Sequence, residues 1–217
     1  MFDTDFIVHL LLRLPVVLFA LTVHEYMHGY VALRCGDDTA YRAGRLTLNP
    51  LAHLDPIGTL CLMFAPIGWA KPVPVQPLNY RHPRRDEILV SGAGVTANFA
   101  LGAVLAVALR LLLWGGLLPP TPLGAILMLL LVNGIIVNFG LGVFNLLPIP
   151  PLDGSHIFRE LLPYHARETY RRVSAYGPIV LILLVLFGGR LFHGFLLIPI
   201  KYLMWAFGGR SVAELIL

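Results

Sequence analysis

The sequence predicts an all-α polytopic membrane protein. Of its 217 residues, 57% are hydrophobic and 13% are charged, whereas about a quarter of the residues of an ordinary soluble domain are charged. The mean hydropathy is +0.76. The length suits about five helices of roughly 20 residues that cross a bilayer, with modest loops between them. We therefore expect a single integral-membrane domain over residues 1–217, without an appended soluble domain.

Four long apolar runs give the order of the predicted helices. The first three cover residues 6–33, 88–114 and 122–147. The fourth covers residues 173–209, is interrupted by Gly188-Gly189-Arg190, and is long enough for two helices. Together these runs predict about five transmembrane helices.

Residues 57–70 form a shorter apolar stretch that contains Pro66 and Gly68. The stretch is too short for a comfortable crossing, so we predict a re-entrant or interfacial segment, with a crossing as the alternative. The proline-rich pieces at residues 72–77 and 148–151 are expected to be extended, because proline disfavours helix in the residue before it.

The charged residues indicate how the chain is oriented. It carries 16 Lys and Arg against 12 Asp and Glu, a formal net charge of +4. If residues 57–70 do not cross, eleven bases lie on one side of the cell membrane, which the positive-inside rule makes cytoplasmic. These eleven are Arg34, Arg42, Arg45, Lys71, Arg81, Arg84, Arg85, Arg159, Arg167, Arg171 and Arg172. Because no basic run is interleaved with aromatic residues, we expect no nucleic-acid partner.

The first apolar run contains a metal-binding pattern. His24-Glu25-Tyr26-Met27-His28 is an HExxH motif, and histidines four residues apart on a helix project from one face and can share a metal ion. Three ionisable groups inside a hydrophobic helix are costly and by default mark function. The alternative is a pair of structural histidines with Glu25 neutralised by an arginine, which leaves the spacing unexplained.

A catalytic zinc ion needs a third protein ligand and keeps one position for water. Asp153 is the outstanding acidic candidate at membrane depth, just past the helix expected to end near residue 147. It reaches the same side of the membrane as His24 and His28 only if residues 57–70 do not cross. The metal hypothesis therefore independently favours the re-entrant segment.

Five segments between residues 24 and 157 carry a family resemblance: HEYMHGYVA, GRLTLNPLAHLDPIGTL, GWAKPVPV, SGAGVTAN and NLLPIPPLDGSHI. Together they resemble the compact prokaryotic branch of the site-2 protease family of intramembrane zinc metalloproteases. The joint occurrence of HExxH and a distant PLDG is highly specific, whereas the chain after these segments resembles only generic membrane helices.

The resemblance implies one zinc ion per chain. His24, His28 and Asp153 match the family's ligands, and Glu25 matches the residue that activates water. The chain departs from the family at Val95, where a proline is common.

Further candidates are less specific. The resemblance matches Asn98 with an asparagine that holds the substrate backbone or the oxyanion, and Asn145 lies in a resembling segment as a second substrate-binding candidate. His53 and Asp55 form an HxD that would assist proton transfer or bind a second metal, although a loop histidine and a turn-forming Asp-Pro explain them equally well. His156, one turn beyond Asp153, is an auxiliary candidate behind the ligands or a satisfied helix-end histidine.

The leading hypothesis is a zinc endopeptidase that cleaves a transmembrane segment of another protein near the cytoplasmic face, with Glu25 as general base. Its expected partners are a transmembrane substrate protein and the lipid bilayer. One alternative is a catalytically silent scaffold that binds transmembrane helices. Another is a metal-ion carrier, which would need a chain of further intramembrane carboxylates.

Overall fold

A computed structural model describes residues 4–58 and 69–216 of the chain, and the regular elements of these residues are helical. The α-helices are α1 (Thr4–Cys35), α2 (Thr39–Arg42), α3 (Pro83–Trp114), α4 (Pro122–Asn145), α5 (Asp153–Leu161), α6 (Tyr164–Ser174), α7 (Gly177–Phe187) and α8 (Gly189–Ile216), and short 3₁₀ turns cover Pro50–His53 and Pro77–Asn79. The predicted all-α class is confirmed.

Three helices of the described chain are long and apolar enough to cross a bilayer, namely α1 from Leu11 onward, α3 and α4. Helices α6 and α7 pass the same test as a pair, bent by 66° at their junction, and would make a fourth crossing. The predicted count of about five is not confirmed. The difference lies in the run over residues 173–209, where α7 has only 11 residues, about half of what a bilayer requires.

Helices α1 and α3 are antiparallel and meet at one end of the bundle. The backbone N–H of Arg81, just before α3, donates to the carbonyl of Cys35 over 3.0 Å. The turn between α3 and α4 joins them at the opposite end. We call the end that holds Cys35, Pro83 and Asn145 the Cys35 end, and the opposite end, with Trp114, the Trp114 end.

Glycines let α3 and α4 pack closely. A Cβ at Gly102 would lie 2.7 Å from the ring of Phe139, and a Cβ at Gly142 would lie 2.7 Å from the ring of Phe99. Each glycine therefore accommodates an aromatic ring of the opposite helix, a use of small residues that is typical of membrane helices.

Helix α8 packs on α3 and α4 and completes the core. Ile200 lies beside Gly140, and Gly209 lies beside Arg110. Because Gly140 is near the Cys35 end and Arg110 is near the Trp114 end, this part of α8 runs in the same direction as α3. The buried core of the three helices contains Ala106, Leu109, Ile135, Phe139, Val143, Ile200, Met204 and Val212.

The proline-rich pieces differ from each other. Residues 71–76 have no regular structure, as expected of an extended piece. Residues 148–151 form a turn instead, in which the N–H of Leu152 donates to the carbonyl of Ile149 over 3.0 Å. The prediction of an extended piece there is wrong, because the chain must bend sharply to bring Gly154 against the carbonyl of Leu146.

Most of the predicted re-entrant segment, residues 59–68, lies outside the described residues.

Candidate active site

His24 and His28 lie side by side on one face of α1, near the Cys35 end. Their Nε2 atoms are 3.0 Å apart, and the two rings meet edge to face with centroids 4.6 Å apart. This is the juxtaposition expected of residues one helical turn apart. Helix α1 therefore directs two imidazole nitrogens toward one point.

The other nitrogen of each ring faces an oxygen. His24 Nδ1 lies 2.6 Å from Oδ1 of Asn98, and His28 Nδ1 lies 2.7 Å from the backbone carbonyl of Val90. Because these oxygens can only accept, each Nδ1 carries the hydrogen and donates it. In the neutral imidazoles, each Nε2 then offers a lone pair, the form in which an imidazole binds a metal.

Asp153, the first residue of α5, completes a triangle with the two histidines. Its Oδ2 lies 3.1 Å from Nε2 of His24 and 3.3 Å from Nε2 of His28. Within the part of the chain that the structure describes, this is the one group of three His, Cys, Asp or Glu side chains arranged to hold a metal ion. The three side chains proposed as ligands from the sequence thus lie together in space.

The triangle has the dimensions and the chemistry of a zinc site. Four ligands at about 2.0–2.1 Å from zinc in a tetrahedron lie about 3.3–3.4 Å from one another, close to the observed 3.0, 3.1 and 3.3 Å. Asp153 Oδ2 is buried and has no hydrogen-bond partner among the described residues. Three acceptor atoms that face each other without a donor require a cation or added protons between them.

Gly94 of α3 makes room for the two imidazoles. A Cβ at this position would lie 2.6 Å from Cε1 of His24 and 2.6 Å from Nε2 of His28. Carbon atoms in van der Waals contact lie about 3.5–4.0 Å apart, so no side chain fits at this position unless the rings move.

Glu25 lies beside the triangle, on the wall of a cavity of about 610 Å³. Its Oε2 accepts a hydrogen bond from the backbone N–H of Val73 over 2.8 Å. Val73 belongs to the irregular segment 71–76, which forms another part of the wall. The cavity is also lined by His24, His28, Asn145, Asp153 and His156. The carboxylate, the triangle and the irregular segment thus face one space.

Asp37, just after α1, holds the irregular segment in place. It is buried, and its Oδ2 accepts from the backbone N–H of Gln76 over 2.6 Å. Its Oδ1 accepts from the hydroxyl of Thr39 and, over 2.8 Å, from Nδ2 of Asn79. Burial by itself raises the pKa of the Asp37 carboxyl, but these hydrogen bonds to the charged form outweigh burial and hold the pKa below its ordinary value.

An ion-pair network fastens α5 to α3. Glu87 of α3 is buried and accepts from His156 Nδ1 over 2.9 Å and from Arg159 Nη2 over 3.0 Å. Arg159 also pairs with Glu160 over 2.9 Å. Because His156 lies one turn after Asp153 in α5, the network fixes the helix that presents Asp153. The sequence did not predict this role of Glu87, because Glu87 lies 69 residues from His156 and no local pattern links the two.

Asn98 lies behind His24 rather than on the cavity wall. It is fully buried, and its Nδ2 donates to Oδ1 of Asn138 over 2.9 Å and to the carbonyl of Ala20 over 3.3 Å. Both hydrogens of the carboxamide are therefore used. The polar atoms of Asn98 are thus engaged by His24 and its neighbours, and its contact with a substrate stays a prediction.

Asn145 does lie on the cavity wall. Its Nδ2 donates to the carbonyl of Leu141 over 3.0 Å, a bond within α4. Its contact with a substrate stays a prediction.

His53 and Asp55 take the loop and turn roles that the sequence left open. His53 is buried, its Nε2 donates to the carbonyl of Thr47 over 2.9 Å, and its own carbonyl accepts from the N–H of Lys71 over 2.8 Å. Asp55 Oδ1 accepts from the backbone N–H of Gly58 over 2.8 Å. Neither residue joins a metal-capable group of three within residues 4–58 and 69–216. The structure therefore gives no support to a second metal.

Comparison with known proteins identifies the family. Residues 122–187 match peptidase family M50. The chain is 41% identical over 163 residues to "Putative zinc metalloprotease YwhC" of Bacillus subtilis, an alignment that covers 75% of this chain and 74% of that protein. It is 35% identical over 184 residues to "Putative zinc metalloprotease Rip2" of Mycobacterium tuberculosis, covering 78% of this chain and 64% of that protein.

The chain thus spans most of the first relative and just under two thirds of the second. No solved structure matches it. The identity to the Bacillus protein over this coverage confirms the resemblance to the site-2 proteases, and the chain belongs to peptidase family M50.

Proposed function

We propose that the protein is an intramembrane zinc endopeptidase that cleaves a transmembrane segment of another membrane protein near the cytoplasmic face. The observation that carries the proposal is the triangle of His24, His28 and Asp153 beside Glu25. The triangle joins α1, a helix long and apolar enough to cross a bilayer, to the start of α5. Membership of a peptidase family supports the class of reaction.

His24, His28 and Asp153 would hold one zinc ion through two neutral imidazoles and one carboxylate. Zinc bound there supplies a Lewis acid that polarises the scissile carbonyl and lowers the pKa of water. Asn98 and the Val90 carbonyl accept from the Nδ1 hydrogens. These contacts keep both rings in the tautomer that presents Nε2 to the metal.

Glu25 is the general base in this proposal. It takes a proton from the attacking water and passes it to the leaving amine nitrogen. The N–H of Val73 holds Oε2 of Glu25 over 2.8 Å, and Oε1 remains to handle the proton. The base is thereby tied to the irregular segment 71–76.

A substrate must present unwound backbone to these groups. A transmembrane helix engages its carbonyls in bonds to the N–H four residues later, so the segment has to unwind locally before attack. The irregular segment 71–76 lines the cavity next to Glu25 and offers a backbone edge with which an extended substrate would pair. Asn145, on the same wall, is our candidate for contact with that substrate.

The distribution of charge supports a cytoplasmic site. The candidate site lies at the Cys35 end, where Arg34 and Arg81 flank the helix ends. Arg84, at the start of α3, donates to the carbonyl of Glu160 over 2.9 Å, so α5 and its arginines lie at this end as well. An excess of bases at one end marks the cytoplasmic side.

The decisive variant is Glu25→Gln. The full chain, purified with zinc, is reconstituted in proteoliposomes with a labelled transmembrane peptide that the wild type cleaves. We expect unchanged zinc content and a rate at least about 100-fold lower, because proton transfer by a positioned carboxylate contributes about 10²–10⁴-fold.

The matched control is Glu168→Gln. Glu168 is exposed on α6 and, among the residues that the structure describes, pairs with Arg171 and Arg172 at the surface, so cleavage should not change. Full activity of Glu25→Gln would contradict the proposed base. A wild type that binds no zinc and cleaves nothing would favour a silent scaffold instead.

A further inference from the structure

A charged cleft lies between α3 and the C-terminal half of α8. Its volume is about 1000 Å³, and its lining includes Arg110, Lys201, Trp205, Gly209, Arg210 and Glu214. Arg110 lies about 24 Å further along α3 than Gly94, the residue that contacts the two imidazoles of the candidate active site. The cleft is therefore separate from the candidate active site.

The cleft carries an excess of positive charge. Glu214 is the acidic residue of the lining, and its Oε1 accepts from Nε of Arg210 over 2.8 Å. Arg110 and Lys201 have no ion pair or hydrogen bond to any residue that the structure describes. Unpaired charges on membrane helices are costly and usually mark a partner, so the cleft favours an anion.

The positive-inside rule does not explain why Arg110, Lys201 and Arg210 line the cleft. The sequence assigns eleven of the 16 basic residues to one side of the membrane, and the positive-inside rule predicts few in the rest of the chain. The other five are Arg13, Arg110, Arg190, Lys201 and Arg210. Three of these five line this one cleft, a concentration that needs a cause other than topology.

Arg110 packs against α8 at Gly209, where the helix is broken. Gly209 has a φ of +73°, and a Cβ there would lie 3.4 Å from both Cζ and Nε of Arg110. The guanidinium thus packs across the break in the helix, where the positive φ would strain a residue with a side chain. Trp114, four residues after Arg110, is 88% exposed, and Trp205 is 63% exposed. Exposed tryptophans on membrane helices are typical of headgroup depth.

We propose that the cleft binds the phosphate of an anionic phospholipid. Arg110 presents an unpaired guanidinium fork, and Arg210 keeps its two terminal NH₂ groups after Nε binds Glu214. Such forks match phosphate oxygens in pairs. The lining also has an apolar part, formed by Trp205, Ala206 and Ala213. The acyl chains of a lipid would cover this part, whereas a free phosphate ion would leave it uncovered. The proposal is independent of the proteolytic activity.

Quenching of Trp205 by brominated lipid tests the proposal. The chain has three tryptophans, so the changes Trp69→Phe and Trp114→Phe leave Trp205 as the only reporter. The protein is placed in phosphatidylcholine nanodiscs, and dibrominated phosphatidylglycerol or dibrominated phosphatidylcholine is added in increasing mole fraction. We expect half-maximal quenching at about a tenfold lower fraction of the anionic lipid. The double variant Arg110→Gln/Arg210→Gln should lose this preference.

Two controls and a second variant keep the result interpretable. Arg13→Gln removes an exposed base outside the cleft and should keep the preference, and a chain with Trp69 as the only tryptophan should show none. If the double variant loses helix content, Arg110→Lys carries the test, because it keeps the charge but loses the fork and should weaken the preference several-fold.

A wild type without preference, or a preference that survives loss of both arginines, would overturn the proposal. Loss of the preference in millimolar inorganic phosphate would show that the cleft takes free phosphate instead of lipid.

Discussion

Gly94→Ala should disturb the candidate metal site through a single added carbon. The new methyl group would lie 2.6 Å from Cε1 of His24 and 2.6 Å from Nε2 of His28. Because contact between such atoms needs about 3.5 Å, the rings must move by about 0.9 Å. They cannot yield cheaply, since the Nδ1 hydrogens are held by Asn98 and by the carbonyl of Val90.

A movement of that size exceeds the tolerance of a metal site, which is about 0.2 Å in the ligand distances. We expect the affinity for zinc to fall at least about 100-fold, or about 2.7 kcal/mol. The measurement is a titration of the purified chain with zinc against a competing chelator, with far-ultraviolet circular dichroism to verify that the helices are retained. Cleavage of the labelled peptide should fall in parallel at limiting zinc.

Gly92→Ala is the matched control on the same helix. Among the described atoms, a Cβ there would meet Cδ1 of Ile157 at 4.0 Å, which is an ordinary contact. Its zinc affinity should equal that of the wild type, and its stability should be unchanged or higher by about 0.5–1 kcal/mol, because alanine favours helix over glycine. If Gly94→Ala binds zinc as tightly as Gly92→Ala, the imidazoles do not lie against α3 as described, and the reasoning is refuted.

Two further substitutions test how the site is supported. Asn98→Ala removes the acceptor that orients His24, so zinc affinity measured by the same titration should fall about 10–100-fold. Asp37→Asn removes the charge that binds the irregular segment, and the free energy of unfolding, measured by detergent titration, should fall by about 2–3 kcal/mol at neutral pH. Because the folded-state pKa of Asp37 is lowered, this contribution is present above the unfolded pKa of about 3.9 and is lost as pH falls through the folded value.

Each of these substitutions has a control of the same type. Asn133→Ala removes an amide that donates only within α4, to the carbonyl of Leu129 over 2.8 Å, and should leave zinc affinity unchanged. Asp38→Asn removes an exposed partner of Arg42 and should change stability by less than about 0.5 kcal/mol. Equal effects of Asn98→Ala and Asn133→Ala, or of the two Asp substitutions, would contradict the roles assigned here.

The long helices were predictable because a segment that spans a bilayer is a long run of apolar residues, which hydropathy detects. The runs over 88–114 and 122–147 became α3 and α4, but α3 begins earlier, at Pro83. Its first turn is charged, and charged residues form helix as readily as apolar ones, so hydropathy does not mark where the helix starts. Gly188 and Gly189 marked the break between α7 and α8, but the bend around Gly177 was not predictable, because hydropathy carries no information on where an apolar run changes direction.

The chemistry of the site was more predictable than its support. The spacing of His24 and His28 is local, and Asp153 stood out as the acidic residue at membrane depth just past a predicted helix. Gly94 and Glu87 act through contacts with residues far away in the sequence, which no local pattern reveals. The same reason explains why the sequence did not show the hydrogen-bond partners of Asn98, which only the packing of the helices determines.

Zinc binding by His24, His28 and Asp153 is tested most directly by X-ray absorption at the zinc edge of the purified full chain. The same samples are analysed for metal content. We predict one zinc per chain, bound by two imidazole nitrogens and by oxygen at about 2.0–2.2 Å, and loss of this shell in His24→Ala and Asp153→Ala. A chain without zinc, a shell without two imidazoles, or a shell unchanged by these substitutions would contradict a zinc site formed by His24, His28 and Asp153.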